Sequence, residues 1–238
     1  MEQDIRWKSA LGVALALVLL IGTVYRMECR RKREVRIACV GDSITYGSGL
    51  KEREKNCYPQ VLGRLLGERF RVRNFGVRGR TAMWYSNNPY VKEKMNSWSL
   101  DFEPDVVVLM FGTNDSKGEN WRGVTAFKEQ YRRMIEEYQK LSPKPEIYLC
   151  TPATAYYVNE QTEGAMKYNI NGDTVEKKIV PAVRELAEEM ELKLIEINKV
   201  TKGHPEWFAK DGIHPDRNGA KAIAEEVFRV LSKERGKI

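Results

Sequence analysis

The sequence predicts an α/β fold, a three-layer α/β/α sandwich built on a five-stranded parallel sheet. Three observations predict it. Short apolar runs alternate with longer amphipathic stretches from residue 35 to residue 231. The strongest run, residues 105–110 (Asp-Val-Val-Val-Leu-Met), is continuous and β-branched, as suits a strand buried on both faces. The stretches between runs are roughly ten residues or more, enough for right-handed crossover helices that set the strands parallel and cover both faces of the sheet.

The elements follow in order. Residues 35–40 form the first strand candidate, broken by Gly41-Asp42-Ser43. Tyr58–Leu66 reads as a helix with Val61, Leu62, Leu65 and Leu66 on one face. Residues 70–74 give a second, weaker strand, and residues 105–110 the third. A helix over residues 127–141 is stopped by Ser142-Pro143-Lys144-Pro145. Glu146–Cys150 is a strand, residues 174–190 a helix with Pro181 as a candidate kink, and residues 193–197 the last strand. Residues 218–231 close the fold as a helix, apolar at Ala220, Ile223, Ala224, Val227 and Leu231.

The 238 residues, 42% of them hydrophobic, suffice for one sizeable core. The net charge of +7 is unevenly placed: eight of the 40 basic and four of the 33 acidic residues fall within residues 1–36, leaving 32 and 29 in the rest. That remainder is an ordinary mixed surface, with no basic stripe or interleaved aromatics, so no nucleic-acid partner is expected. The basic excess flanks an uncharged apolar segment, residues 10–25, with Trp7 and Tyr25 near its ends. Sixteen residues fall just short of the roughly 17–25 that span a bilayer. No small-x-small cleavage site follows, so an uncleaved membrane anchor is preferred over a signal peptide. The expected organisation is an anchor and basic linker over residues 1–34 and a single α/β domain over 35–238. Six basic residues after the segment against two before it favour a cytoplasmic domain; the substrate suggested below favours the opposite side, toward which the reading leans.

Cys39 and Cys150 end apolar runs and read as buried, whereas Cys57 and Cys29 lie in polar surroundings. With no CxxC and no Cys/His cluster, neither a disulfide framework nor a metal site is expected.

The residues with chemical potential fall where strands end. Ser43 follows the first strand, Gly76 and Gly79 the second, Asn114 the third, and Asp211 and His214 the last. In a parallel sheet these positions share one edge, where open α/β folds build their sites. Taken singly each signal is modest: a Ser after a strand is commonly a helix cap, Gly-x-x-Gly is turn chemistry, and Asn114-Asp115 suits an Asx turn. Histidine is scarcer. Of the two, His204 reads as a surface turn, while His214 has an acid three residues earlier in a Gly- and Pro-punctuated loop.

Together these blocks resemble the SGNH hydrolase family, the GDSL esterases and lipases. The match runs through Gly41-Asp42-Ser43, Gly79 in the Asn-x-Gly-x-x-Gly loop, Gly112-x-Asn114-Asp115 and Asp211-Gly-Ile-His214-Pro, in the family's order, over residues 35–231. The resemblance implies a flavodoxin-like sandwich and a serine esterase mechanism without metal, nucleotide or other cofactor. It implies Ser43 as nucleophile, His214 as base, Asp211 as its orienting acid, and an oxyanion hole from the N–H groups of Ser43 and Gly79 and the amide of Asn114. Asp42, beside the nucleophile, is a candidate for substrate contact but reads better as a structural acid ordering the loops.

Residues 114–117 with Asn120-Trp121 look like a subgroup associated with carbohydrate or sialate O-acetylesterases. Trp84, Trp121, Tyr156 and Tyr157 are candidates to stack on a sugar face, or else to pack the loops. The expected substrate is a short acyl, chiefly acetyl, ester on a glycan or small glycoside. A thioesterase or lysophospholipase would use the same triad on a lipid-like chain. The reading from another class is a catalytically silent envelope-associated binding protein; the filled chemical positions speak against it.

Overall fold

A computed structural model describes residues 18–20, 22–23, 33–156 and 168–233. Val35–Ile238 form a unit separate from Met1–Glu34, and the fold is that of the former. Cys29, Tyr157 and most of the apolar stretch 10–25 lie outside the described residues. Among the described residues no helix is long and apolar enough to cross a membrane.

Five parallel strands form one sheet: β1 (Val35–Gly41), β2 (Phe70–Gly76), β3 (Val106–Met110), β4 (Glu146–Cys150) and β5 (Lys193–Ile195), in the order β2-β1-β3-β4-β5. All five residues of β3 are buried, as a strand covered on both faces requires. The register aligns the strand ends. Gly41 pairs with Gly76 and Met110, Met110 with Cys150, and Cys150 with Ile195. The loops that follow therefore leave from a single row. The chain moves outward from β1 to β2 and then crosses back to β3, so the strand order reverses between β1 and β3, the point at which such sheets open a crevice.

Seven helices matter to the layers: α1 (Ser43–Tyr46), α2 (Tyr58–Leu66), α3 (Lys94–Asp101), α4 (Val124–Gln139), α5 (Val180–Glu189), α6 (Ile197–Thr201) and α7 (Arg217–Lys233). Alternation along the strands gives each face its own core. Ile37, Cys39, Val108, Met110 and Tyr148 pack with Leu62 and Leu66 of α2 and Ile223, Val227 and Leu231 of α7. Ala38, Val40, Val107, Leu109 and Leu149 pack with Phe127, Tyr131 and Met134 of α4 and Val183 and Leu186 of α5. Each such Val, Leu or Phe contributes about 1.5–3 kcal/mol by burial. The edges are blunted: β2 turns Arg71 and Arg73 outward, and β5 is only three residues long.

Several sequence expectations are corrected. Leu65 does not join the buried face of α2; Tyr58, Leu62 and Leu66 form a stripe four residues apart, and Leu65 falls beside it in solvent. The last strand ends at Ile195, because Ile197 already opens α6. Cys57 is buried rather than polar-facing, with Asn74 Nδ2 3.3 Å from its sulfur. The kink expected at Pro181 is a π-helical turn, Val175–Ile179, in which the Val180 N–H bonds to the Val175 carbonyl. Pro181 has no N–H to offer Lys177, and its ring would press on that carbonyl; the wider turn relieves both.

Candidate active site

The row of strand ends carries a cleft of about 430 Å³ lined by residues from five separate segments, one following each strand. Ser43 enters it from the β1 end. Gly41 must be glycine for this: a Cβ there would lie 2.6 Å from the Met110 carbonyl of β3. Asp42 caps α1, its Oδ1 accepting the Ile44 N–H at 2.9 Å. Ser43 is the first residue of that turn, so its own N–H has no partner within the helix.

The acid and base come from one short turn beyond α6. Asp211 Oδ1 accepts the N–H groups of Ile213 and His214 at 2.9 and 3.0 Å. This folds the loop back so that His214 Nδ1 donates to Asp211 Oδ2 at 2.7 Å. The opposite ring nitrogen, Nε2, accepts from Ser43 Oγ at 3.0 Å. Burial works to raise the Asp211 carboxyl, but the bonds from His214 and Ile213 outweigh it and hold it down at about 2. The carboxylate therefore stays charged and fixes the imidazole with its proton on Nδ1 and its lone pair toward the serine. Such a chain can draw the hydroxyl proton away as the oxygen attacks an electrophilic carbon.

Two further loops complete the cleft. Gly79, with φ +75°, turns the chain after β2. That loop is fastened by Asn74, whose Nδ2 donates to the Thr45 carbonyl at 2.8 Å while its Oδ1 accepts the Gly76 N–H at 2.9 Å. Asn114 follows β3, its Nδ2 lying 3.3 Å from Asp42 Oδ2 and 3.2 Å from the Arg80 carbonyl. Both bonds are long, so the amide is aimed but weakly held. Asn120, buried behind it, donates to the Asn114 carbonyl at 2.9 Å.

Ser43, Gly79, Asn114, Asp211 and His214 thus line one cleft. The other candidates do not. Asp42 is 1% exposed and both its oxygens are engaged, which leaves nothing for a ligand. Burial raises its carboxyl to about 6 against the lowering effect of the Ile44 N–H and of His214. Trp121 packs on the core, its ring 6.0 Å from that of Phe127. Tyr156 donates to the Thr201 carbonyl, accepts the His204 N–H and meets the Phe208 ring edge-on. Trp84 is half-buried outside the cleft lining, and Tyr157 lies outside the described residues. His204 stacks on Trp207 at 3.7 Å, away from the lining.

Sequence reasoning missed other contributors. Asp115, fully buried, accepts the N–H groups of Ala82 and Met83 at 3.2 and 3.0 Å and so anchors the segment after Gly79 to the loop after β3. Burial raises its carboxyl to about 7, the two N–H groups opposing and nearby Asp42 reinforcing the shift. The sequence named Asp115 only as the last residue of Gly112-x-Asn114-Asp115, without a role. Ser48, Arg78, Lys117, Tyr168 and Ile170 also line the cleft, with the Tyr168 ring 5.4 Å edge-on from His214; Arg78 and Lys117 fall within the motif blocks but were given no role, and no motif marks the other three.

The model of the GDSL-like Lipase/Acylhydrolase family matches residues 39–222. An acetylxylan esterase from Xylanibacter ruminicola is 35% identical over 214 residues, covering 83% of this chain and 43% of that protein. The chain spans about half the length of the curated relatives it matches first. Among solved structures, a carbohydrate acetylesterase family member from Sinorhizobium meliloti superposes with a TM-score of 0.72 at 21% identity, over 85% of this chain and 99% of that one. A lipase/acylhydrolase from Enterococcus faecalis gives 0.66 at 26% identity, over 85% and 96%.

Proposed function

The chain belongs to the GDSL-like Lipase/Acylhydrolase family, and on that premise we propose that it is a serine esterase removing short acyl groups, chiefly acetyl, from a carbohydrate. The observation that carries the proposal is the unbroken hydrogen-bond chain from Ser43 through His214 to Asp211, opening into a cleft. Similarity to an acetylxylan esterase supports the choice of acyl group and of sugar.

In this mechanism Ser43 Oγ attacks the ester carbonyl while His214 Nε2 takes its proton. The carbonyl oxygen becomes an oxyanion that accepts from the N–H groups of Ser43 and Gly79 and from Asn114 Nδ2. Collapse expels the sugar alkoxide, which receives the proton from His214 and leaves acyl-Ser43. Water, deprotonated by the same imidazole, then releases the acid and restores the serine. Asp211 stays ionised throughout and steadies the imidazolium. The membrane attachment read from residues 10–25 belongs to the same proposal and places the enzyme at a surface.

A chain-length series of p-nitrophenyl esters tests the acyl preference: acetate is expected to turn over faster than octanoate, and the reverse order would sink the acetyl reading. A fluorophosphonate probe is expected to label the protein, and Ser43→Ala to abolish labelling and reduce turnover by roughly 10⁴-fold or more. An unlabelled wild-type protein would point to the silent binding module instead.

A further inference from the structure

Two cations share the cleft with the triad. Arg78 immediately precedes Gly79, and Lys117 follows the short turn Asn114–Ser116. Among the described residues neither forms an ion pair, whereas Arg80, two positions on, is paired with Glu93 at 2.7 Å. Among the described lining residues the one carboxylate is Asp211, whose oxygens are committed to His214 and two backbone N–H groups. Asp42 lies behind, closed off from solvent. Lys117 acts on Asp42 through space without pairing with it, so among the described residues the cleft presents positive charge that no carboxylate of its lining is free to pair.

Arg78 is nonetheless held in place. Its guanidinium lies 5.0 Å from the centroid of the Tyr46 ring, and the Arg53 guanidinium lies 4.3 Å from the same centroid. Arg53 also donates to the Tyr46 carbonyl at 3.2 Å, fixing the residue that carries the ring. Cation–π support of this kind orients a guanidinium while leaving its N–H edge uncommitted. A planar N–H fork of this sort, with an ammonium in the same cleft, suits an oxyanion group on a ligand.

We infer that the sugar cleaved here is acidic, carrying an anionic group close to the acyl ester, and that Arg78 and Lys117 bind that group. The inference rests on the esterase reading and adds the substrate's charge to it. Carboxylate (a uronate) and sulfate share the required chemistry.

The test compares kcat/KM of the full chain on an O-acetylated galacturonate glycoside, its neutral methyl ester, and the correspondingly acetylated galactose sulfate. One or both anionic forms are expected to exceed the methyl ester by about tenfold, chiefly through KM. The form that does so identifies the anion. Within the Arg78→Gln/Lys117→Gln variant the same ratio is expected to fall toward one, and about 0.5 M salt should compress it in the wild type. Because each protein serves as its own reference, general damage from the substitutions cancels. A ratio near one in the wild type, or one untouched by both substitutions, overturns the inference. Failure to cleave p-nitrophenyl acetate or any acetyl sugar would instead overturn the esterase reading itself.

Discussion

Asn114 holds two bonds that compete with the oxyanion role proposed for it. Its amide leans on Asp42 and on the Arg80 carbonyl through contacts of 3.3 and 3.2 Å, both long enough to yield when an oxyanion arrives. Asn114→Ala is expected to lower kcat by about 100- to 1,000-fold with little change in KM, and to leave fluorophosphonate labelling detectable. The buried carboxyls give a pH signature. Asp115 and Asp42 are raised by burial to about 7 and about 6, so between about pH 4 and 7 the folded chain binds more protons than the unfolded one. Across that window these two groups make stability fall as pH rises. Asp211, held at about 2, acts oppositely: its contribution is present above about pH 4 and is lost as pH drops toward 2. Urea unfolding of Asp115→Asn should show a midpoint that declines less than the wild type's between about pH 5 and 7.5. Parallel curves would assign the wild-type decline to other groups.

At the level of elements, β1 and β3 approach so closely at Gly41 that one methyl group must part them. Gly41→Ala is expected to cost about 1–3 kcal/mol of stability and to depress kcat as well, because Ser43 and Asn114 leave those two strands. Thermal melting and turnover of the variant check both effects. The same elements show what a sequence reveals. The third strand, α2 and β4 were legible because their apolar patterns are set locally; Ser43, Gly79 and Asn114 were legible because they follow strands closely, and Asp211 and His214, which lie beyond α6, because acid and base stand three residues apart. No apolar period marks α3: its inward residues include Asn96 and Ser99, and Ser99 is accommodated by a 2.6 Å hydrogen bond to Tyr138. The π turn before α5 depends on how Pro181 meets the preceding carbonyls, which periodicity does not encode. The aromatic candidates had two uses open to them, and Trp121 and Tyr156 serve packing. Arg78 and Lys117 fall within the motif blocks but drew no role from them, because their place in the cleft depends on loop paths, not on spacing.

For the molecule as a whole, the proposed anchor predicts that the full chain partitions into a detergent phase and that removing residues 1–34 returns it to the aqueous phase with its turnover retained. Aqueous partitioning of the full chain would remove the membrane from the account. The wider arrangement also has a consequence in time. The proposed nucleophile stands just past the first strand, and the imidazole bonded to it lies 171 residues later, beyond all five strands in the chain. A chain that is partly synthesised, or partly unfolded at its last loop, carries a nucleophile with no base. The proposed hydrolytic centre is in effect an interlock: it is complete only once the last loop is in place, and regain of turnover during refolding is expected to mark that step.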